Sequence, residues 1–561
     1  MSRRVRSVRT PFLIALAAST ALAAVASASG AVGSSDTAVA DPPVARPATT
    51  PCTVALFDGM TFADFSSKSF AYAPPAACPG PWAKVVFEAD FDVSAGRQYD
   101  RTGNLWLGGT NLYFGTTMEP SRTVARTWHV ERDVSDYAAL FTAPRSGRAD
   151  LGNLVDATYT GVVHGSARLV FYPLAAHTAR PRVADAVLPL AADATGGSVT
   201  LDTPASTLAR TFTLPRNVEA AYLDVIAQSQ SGDEFWYTCV PDDLTGPLQS
   251  CGATAFRETE VAIDGQPAGV APVYPWLYTG AIDPYLWRPT PSVQTLQLEP
   301  YRVDLTPFAG LLSDGQPHTV SLRVFNAHGY FSTTASLLLY LDHGASRVEG
   351  GVVLNTLATD PVPVITPAVT TTDDGSASGT VGVRAARTFL ISGVVRTSHG
   401  VVATQLVQSI AFTNQQSFDI ADDRYVQSIA QRTTLTSLTL TAGGGRHREQ
   451  LAHHEWPLDL TYAYAVGADG GATQTTTVRQ ALTSSTLTTE SGHGPRFRSA
   501  SSVVAPTDTL VYDPSGALVA TRDQGSQHDV RVLDSELGCF ARTVTSVNGL
   551  VTAITDGATC P

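Results

Sequence analysis

Short runs of alternating apolar and polar residues dominate the chain from residue 84 onward. Clear runs lie at 85–91, 104–107, 127–130 and 167–172, with Gly, Pro, Asn and Asp residues between them. Alternation with a period of two is typical of half-buried β-strands, whereas an amphipathic helix repeats its apolar residues every three to four positions. Regularly spaced short strands with this punctuation favour a sandwich or a jelly roll.

The same pattern divides the chain into modules. A second group of strands runs from 210 to 343, and the stretch 366–379, rich in Thr, Asp, Gly and Ser, separates it from a Thr- and Val-rich third group. We therefore expect an all-β protein with two adjacent antiparallel jelly-roll or β-sandwich modules and a C-terminal β domain. The expected boundaries are a first module at 51–205, a second module at 206–347, a linker at 348–379 and a C-terminal domain at 380–561.

The N-terminus has the pattern of an export signal. Arginines precede an apolar stretch at 12–25, and Ala26-Ser27-Ala28 resembles a cleavage site, which predicts a signal peptide at 1–28. Residues 29–50, rich in Ala, Pro, Ser and Thr, are expected to form a disordered linker. Because no later segment has the length of a membrane helix, we expect a secreted, soluble protein without a membrane partner.

Six cysteines fit an oxidising compartment. We predict that they form three local disulfides, although six cysteines allow fifteen connectivities. A zinc site is the competing interpretation, but no Cys-x-x-Cys motif is present. The predicted pairs are Cys52 with Cys78, Cys239 with Cys251, and Cys539 with Cys560.

Charge and composition exclude several functions. The net charge of −13 disfavours a nucleic-acid partner, because binding phosphates needs a basic surface. The only two lysines, Lys68 and Lys84, do not follow a Gly-rich loop, so a phosphate-binding loop is excluded. We expect neither a cofactor nor a metal ion, and a monomer rather than a larger assembly.

Three acidic residues, Asp100, Glu119 and Glu234, are the candidates for chemistry. Carboxyl groups can transfer protons or activate water. An acid at a strand end is more often paired with a neighbouring arginine, as Asp100 could be with Arg101. Aromatic neighbours favour a carbohydrate site instead, because their faces stack on sugar rings. These neighbours are Tyr99, Trp106, Phe235, Trp236 and Tyr237.

A further pair, Trp287 and Arg288, could line the same cleft. The forked donors of Arg288 suit a carbonyl or acetamido oxygen. A solvent-exposed arginine stacked on a tryptophan is the competing interpretation.

Several motifs, in this order, resemble those of the glycoamidase A family. These are peptide-N4-(N-acetyl-β-glucosaminyl)asparagine amidases of the plant and fungal type, with bacterial relatives. The resemblance is strong over residues 52–344 and looser from 384 onward. The motifs include Gly96-Arg-Gln-Tyr-Asp-Arg101, Leu105-Trp-Leu-Gly-Gly109, Glu119-Pro120, Asp233-Glu-Phe-Trp-Tyr237 and Asp283-Pro-Tyr-Leu-Trp-Arg-Pro289.

The resemblance implies an activity. The family hydrolyses the amide between Asn of an N-glycoprotein or glycopeptide and its first N-acetylglucosamine, converting Asn to Asp and releasing the intact glycan. It also accepts glycans with a core α1,3-linked fucose.

The resemblance also implies roles for single residues. Asp100 would be the principal acid-base residue, Glu234 would assist attack by water, and Glu119 would be a third acid. We expect the positive charge of Arg101 to keep Asp100 ionised. The expected substrate-binding residues are Tyr99, Arg101, Trp106, Trp236, Trp287 and Arg288.

Two other functions remain open from the sequence. An endo-type glycoside hydrolase would also use two carboxyl groups but would leave one sugar on Asn. A non-catalytic glycan-binding β protein would use the aromatic residues without turnover.

Overall fold

The structure is a computed structural model that describes residues 32–557 and residue 560. Over these residues the chain forms antiparallel β-sheets connected by loops and short helical turns. The predicted all-β class is therefore confirmed. The predicted signal peptide at 1–28 lies outside the described residues.

The first module is a jelly roll of two four-stranded sheets with the orders β1-β8-β3-β6 and β2-β7-β4-β5. Their facing sides form one apolar core, which contains Val85, Phe87, Leu105 and Leu169. The strands are β1 Cys52–Phe62, β2 Lys68–Tyr72, β3 Trp82–Val93, β4 Thr102–Leu107, β5 Thr110–Thr116, β6 Arg126–Asp133, β7 Arg145–Leu151 and β8 Val163–Pro173.

The second module repeats this connectivity. Its sheets have the orders β10-β17-β12-β15 and β11-β16-β13-β14, and β9 pairs with the outer side of β17. The strands are β9 Ala186–Pro189, β10 Val199–Leu201, β11 Leu208–Thr213, β12 Val218–Gln230, β13 Glu258–Ile263, β14 Gln266–Pro272, β15 Tyr301–Asp304, β16 Pro317–Phe325 and β17 Tyr330–Leu341.

Helical structure in the described chain is confined to short turns. The α-helical turns are α1 Thr245–Leu248 and α2 Ala309–Leu312, and the 3₁₀ helices are Ser135–Thr142, Ser231–Asp233, Trp236–Thr238, Asp242–Leu244 and Thr306–Phe308. No helix among the described residues is long and apolar enough to cross a membrane.

The third module is one eleven-stranded antiparallel sheet. Its long strands alternate buried and exposed positions, and the buried face packs on the second jelly roll, where Phe412 and Leu458 join the same core as Trp236. The strands are β18 Glu349–Asn355, β19 Val364–Thr371, β20 Ala377–Thr397, β21 Gly400–Ala421, β22 Arg424–Gly443, β23 Arg446–Val466, β24 Ala472–Glu490, β25 Arg496–Tyr512, β26 Leu518–Asp534, β27 Gly538–Val547 and β28 Leu550–Asp556.

Two segments expected to be linkers are packed into the fold. Within the predicted linker at 348–379, β18 and β19 both pair with β20. Near the N-terminus, Ala38 and Ala40 are buried against the third module. This part of the segment, which was expected to be a disordered linker, packs against the sheet. Alanine side chains are small enough to pack closely against a sheet. Composition alone does not distinguish a packed segment rich in small residues from a flexible linker.

The three predicted disulfides are present, joining Cys52 to Cys78, Cys239 to Cys251 and Cys539 to Cys560. Each closes a local loop, so none connects one module to another.

Candidate active site

The candidate acids come from two different jelly rolls. Asp100 lies in the loop before β4, Glu119 follows β5, and Glu234 follows β12 and a 3₁₀ turn. A long connection between β14 and β15, residues 273–300, runs past them and carries Gly280 and Arg288. Loops at the ends of a rigid β scaffold are the usual place for such groups.

Thr117 joins the loops that carry the first-module acids. Its backbone N–H donates to the carbonyl of Arg101 (2.9 Å), and its hydroxyl accepts the Arg101 N–H (2.9 Å). The Thr279 hydroxyl donates to the Thr117 carbonyl (2.6 Å). Asp100, Glu119 and Gly280 are neighbours of these residues in the chain, so the bonds bring them together.

The backbone of Gly280 lies against two carboxyl groups. Its N–H donates to Asp100 Oδ2 (3.3 Å), and the Asp100 N–H donates to Glu119 Oε1 (3.4 Å). A Cβ atom at residue 280 would lie 2.7 Å from Glu119 Oε1 and 2.8 Å from Asp100 Oδ1. A side chain at residue 280 would force these carboxyl groups to shift, so their present positions depend on glycine, and Gly280 is a site residue that the sequence analysis missed.

Arg288 is paired with Glu119. Its Nη2 donates to Glu119 Oε2 (2.9 Å), and both side chains are largely buried. The guanidinium also lies over the ring of Tyr285, 5.2 Å from its centroid. Arg288 Nε is buried without a hydrogen-bond partner among the described residues.

Burial raises the pKa values of the acids in this group. It raises the pKa of Glu119 to about 7, with the charge of Asp100 adding to the effect and Arg288 opposing it. Burial and then the charge of Asp100 raise the pKa of Glu234 to about 7. Since each glutamate is influenced by Asp100, the three carboxyl groups form one electrostatic cluster.

The pKa of Asp100 is also raised, chiefly by burial. Burial, and not the charge of Arg101, is therefore the largest influence on the pKa of Asp100. The charge of Arg101 lowers the pKa of Asp100, but it is the smallest of the influences. The guanidinium of Arg101 points instead to Gln98, donating from Nη2 to Oε1 (2.9 Å).

Asp233, the residue before Glu234, fixes the turn that presents it. Its carboxylate pairs with Arg257 (2.8 Å), and both side chains are fully buried. It also accepts the backbone N–H groups of His328 (2.8 Å) and Gly329 (2.7 Å). This acid is therefore a structural anchor, and Glu234 is left free to face the cluster.

A polar network holds the two jelly rolls together beside the acids. Gln230 Nε2 of the second module donates to the Thr102 hydroxyl of the first (3.1 Å). Gln228 Nε2 donates to the Tyr278 hydroxyl (2.8 Å), which donates to the Ser229 carbonyl. The network connects the strand before Glu234 with the strand after Asp100.

Three of the expected stacking residues lie in the core. Trp106, Trp236 and Trp287 are 1%, 0% and 0% exposed. The Trp287 indole N–H donates to the Ala281 carbonyl (2.9 Å), which closes the loop around Gly280. None of the three presents a ring face to solvent, so the expectation that they stack on a sugar is corrected. The acidic residues near these tryptophans in the sequence do not indicate whether the indole rings face solvent or the core.

Tyr99, in contrast, is 46% exposed. Its ring lies 5.4 Å from that of Tyr159, and the guanidinium of Arg97 lies over both rings. Tyr99 is next to Asp100 in the chain, so this aromatic pair is an accessible surface beside the acids. Tyr159 and Arg97 were not among the residues predicted to bind substrate.

The fold and this site define a double jelly-roll protein with a largely buried cluster of three carboxyl groups at the contact of the rolls. A family model described as Peptide N-acetyl-beta-D-glucosaminyl asparaginase amidase A matches residues 41–357. The chain belongs to this family, and the matched segment includes every acid of the cluster.

Comparisons with individual proteins give similarities of different extent. The chain is 28% identical over 450 residues to Peptide-N4-(N-acetyl-beta-glucosaminyl)asparagine amidase A of Prunus dulcis, covering 76% of this chain and 77% of that protein. PNGase F, a glycosylasparaginase from Flavobacterium meningosepticum, is 13% identical, covers 52% of this chain and 96% of its own, and has a TM-score of 0.34. The structure of PNGF-II in a C2 crystal form is 14% identical, with 52% and 65% covered and a TM-score of 0.37.

Proposed function

We propose that this protein is a glycoamidase. It hydrolyses the amide between Asn of an N-glycoprotein or N-glycopeptide and the first N-acetylglucosamine, converts Asn to Asp and releases the intact glycan. The observation that carries the proposal is the cluster of Asp100, Glu119 and Glu234 at the contact of two jelly rolls, in a chain that belongs to the amidase A family.

The acidity of the cluster suits amide hydrolysis. With a pKa of about 7, Glu234 and Glu119 take up and release protons at neutral pH, so they can accept the proton of the attacking water and replace the proton that Asp100 gives up. The attacking water must lose a proton, and the leaving nitrogen must gain one. A site that holds protonated and ionised carboxyl groups at the same pH can accept the proton of the water and supply a proton to the nitrogen.

We assign the reaction steps as follows. A water molecule gives a proton to Glu234 and adds its oxygen to the side-chain carbonyl carbon of the substrate Asn. The carbon–nitrogen bond then breaks, and Asp100 transfers a proton to the leaving nitrogen. The products are Asp and a glycosylamine, which later exchanges its amino group for a hydroxyl by reacting with water and losing ammonia.

Arg288 supplies the positive charge of the site. Its Nη2 holds Glu119 in place, and its unpartnered Nε can donate to the carbonyl or acetamido oxygen of the substrate. A donor aimed at the oxygen that becomes negative stabilises the transition state. The exposed face of Tyr99 is the stacking surface for the sugar.

The proposal extends to the setting of the enzyme. The protein acts outside the cell after removal of the signal peptide, as a monomer, without a metal or cofactor, and tolerates a core α1,3-linked fucose. Its disulfides suit an oxidising compartment.

Mass spectrometry of an N-glycopeptide after incubation with the protein tests the reaction. In heavy-oxygen water and with a chelator present, a glycoamidase produces Asp that carries one heavy oxygen. An endo-type glycosidase leaves one N-acetylglucosamine on Asn, and a glycan-binding protein leaves the peptide unchanged. Either of these results overturns the proposal.

The variant Asp100→Asn tests the assignment of the acid. It keeps the shape of the side chain but cannot transfer a proton, so we expect a loss of about a hundred- to ten-thousand-fold in rate. The control Asp243→Asn changes an exposed acid and should keep the wild-type rate. Wild-type activity in Asp100→Asn would refute the role of Asp100 without refuting the reaction.

A further inference from the structure

The loop that carries Gly280 and Arg288 rests on the C-terminal sheet. Gln480 of β24 donates to the Pro275 carbonyl (2.7 Å) and accepts the Val293 N–H (3.1 Å). Gln524 of β26 donates to the carbonyls of Tyr285 (2.6 Å) and Arg288 (3.3 Å). The third module contributes none of the three clustered acids, yet it contacts the backbone of the loop at both ends and in the middle.

Asp283 is at the centre of this contact. It is 1% exposed and organises its own turn by accepting the Tyr285 N–H at Oδ1 (2.8 Å). Its Oδ2 accepts Nε2 of Gln474 from β24 (3.1 Å). The loop is also closed internally, since the Asp283 N–H donates to the Ala281 carbonyl (2.6 Å), which also accepts the Trp287 indole N–H.

Asp508 of β25 is paired with Thr476 of β24, two residues along the strand from Gln474, whose side chain donates to Asp283. Asp508 is 0% exposed, and neither of its oxygens has a hydrogen-bond partner of ordinary geometry among the described residues. Burial and then the charge of Asp283 raise the pKa of Asp508 to about 8, and burial raises the pKa of Asp283. Two neighbouring buried carboxylates cannot both be ionised without a large cost.

The groups that surround the pair do not provide a counter-ion in direct contact. Tyr285 and Arg288 face it from the loop, and Arg288 acts on Asp283 only through its charge because its guanidinium is bonded to Glu119. Tyr462 of β23, Gln474 of β24 and Tyr512 of β25 face it from the sheet. A proton shared between the two carboxyl groups therefore gives Asp508 the hydrogen bond that it otherwise lacks.

We propose that Asp508 is a positioning residue of the active site, which shares a proton with Asp283 and thereby holds the loop of Gly280 and Arg288 on the C-terminal sheet. Asp508 is the donor and Asp283 the acceptor. Loss of the proton sets two buried negative charges against each other and releases the loop. Gly280 and Arg288 then leave Asp100 and Glu119, because both belong to the same closed loop.

Hydrogen exchange of peptides spanning residues 278–288, followed by mass spectrometry on the full chain, tests the contact without reference to activity. In the wild type, the protonated fraction falls about tenfold for each pH unit above about 8, so protection should fall by on the order of tenfold between about pH 6 and about pH 9 after correction for intrinsic exchange. In Asp508→Asn the amide still donates to Asp283 and does not ionise, so protection should be independent of pH.

Two further variants complete the test. Asp508→Ala removes the donor, and protection should be low at both pH values. Asp459→Asn changes a partly exposed acid on β23 and should behave as the wild type. If Asp508→Ala does not fold, the comparison of the wild type with Asp508→Asn still decides. Equal protection at both pH values in the wild type, or a wild-type pH response in Asp508→Asn, overturns the proposal.

The kinetic consequence rests on the proposed glycoamidase function. At neutral pH, Asp508→Ala should lower kcat/KM by roughly tenfold, the factor expected for the wild type on loss of the shared proton, and Asp508→Asn should keep the wild-type value. If the protein releases no glycan but exchange follows the pattern above, the proposed function fails and the positioning role stands. If glycan is released but exchange does not respond, only the positioning role fails.

Discussion

Replacing Glu234 with glutamine should make the protein more stable at alkaline pH while it abolishes activity. In the folded chain, burial and the charge of Asp100 raise the pKa of Glu234 to about 7 from 4.5. A raised pKa in the folded state contributes stability that is fully present below about 4.5 and is lost as the pH rises through about 7. The glutamine amide does not ionise, so the Glu234→Gln variant should not lose this stability.

The size of the effect follows from the two pKa values. A rise from 4.5 to about 7 corresponds to at most about 3.5 kcal/mol, at about 1.4 kcal/mol for each tenfold change in proton affinity. Glu234 is only partly buried, and screening by solvent lowers the figure to about 1–2 kcal/mol. At pH 8 the variant should exceed the wild type in stability by this amount, and near pH 4.5 the two should agree.

Thermal unfolding at the two pH values measures the difference. An unfolding entropy of about 2 cal/mol/K per residue over 561 residues means that about 1–2 kcal/mol moves Tm by about 1–2 °C, if the chain unfolds as one unit. The matched control is Glu349→Gln, whose parent side chain is 64% exposed, and it should follow the wild type. A variant that is less stable than the wild type at pH 8, or equally dependent on pH, would refute the reasoning.

Three other changes give separate tests. Gly280→Ala places a methyl group against Glu119 and Asp100 and should lower glycopeptide conversion by roughly ten- to hundred-fold with little change in Tm, whereas Gly246→Ala, where a Cβ meets nothing within 4 Å, should have no effect. Asp233→Asn breaks a fully buried ion pair with Arg257 and should cost about 3–5 kcal/mol in chemical unfolding; a cost below about 1 kcal/mol would contradict the anchoring role. Non-reducing peptide mapping should link Cys239 to Cys251, and free thiols at both positions in the purified protein would contradict the structure.

The strand pattern was sufficient to predict the fold class, because period-two alternation in antiparallel sheets is a local property of the sequence. The long strands of the third module show this most clearly, since β21 alternates buried and exposed residues over most of its length. The packing of residues 32–50 was not predictable in the same way. Ala38 is buried by residues of the third module, which are distant in the sequence. An alanine in the sequence does not indicate which part of the fold it packs against.

The acids of the site could be named from their motifs, but their acidity could not. The sequence places Arg101 beside Asp100, and proximity in the chain suggested an ionised carboxylate. In the fold, the guanidinium turns to Gln98, and burial becomes the larger influence on Asp100. A pKa depends on distances in space, which one sequence does not supply.

Gly280 and Asp508 were not predicted from the sequence, and the reason is the same for both. Gly280 acts through its backbone N–H and its lack of a side chain, and Asp508 acts through a residue more than 200 positions away in the chain. Neither belongs to a local motif of reactive side chains, which is the kind of signal that a single sequence displays. Trp287 shows the opposite error, since a residue type suited to sugar binding lies in the core.

The proposed positioning role gives the third module a part in a site whose three acids all come from the two jelly rolls. Crowding three carboxyl groups in a buried cleft raises their pKa values toward neutrality, which suits proton transfer near pH 7, but it also makes the cleft unstable when they ionise. The groups that counter this instability, Arg288 and the Gly280 N–H, lie on a loop without strand pairing of its own. Such a loop keeps its position only if its backbone is bonded elsewhere, and the described structure provides those bonds from Gln480 and Gln524 of the C-terminal sheet. The sheet therefore acts on the chemistry through the position of the loop.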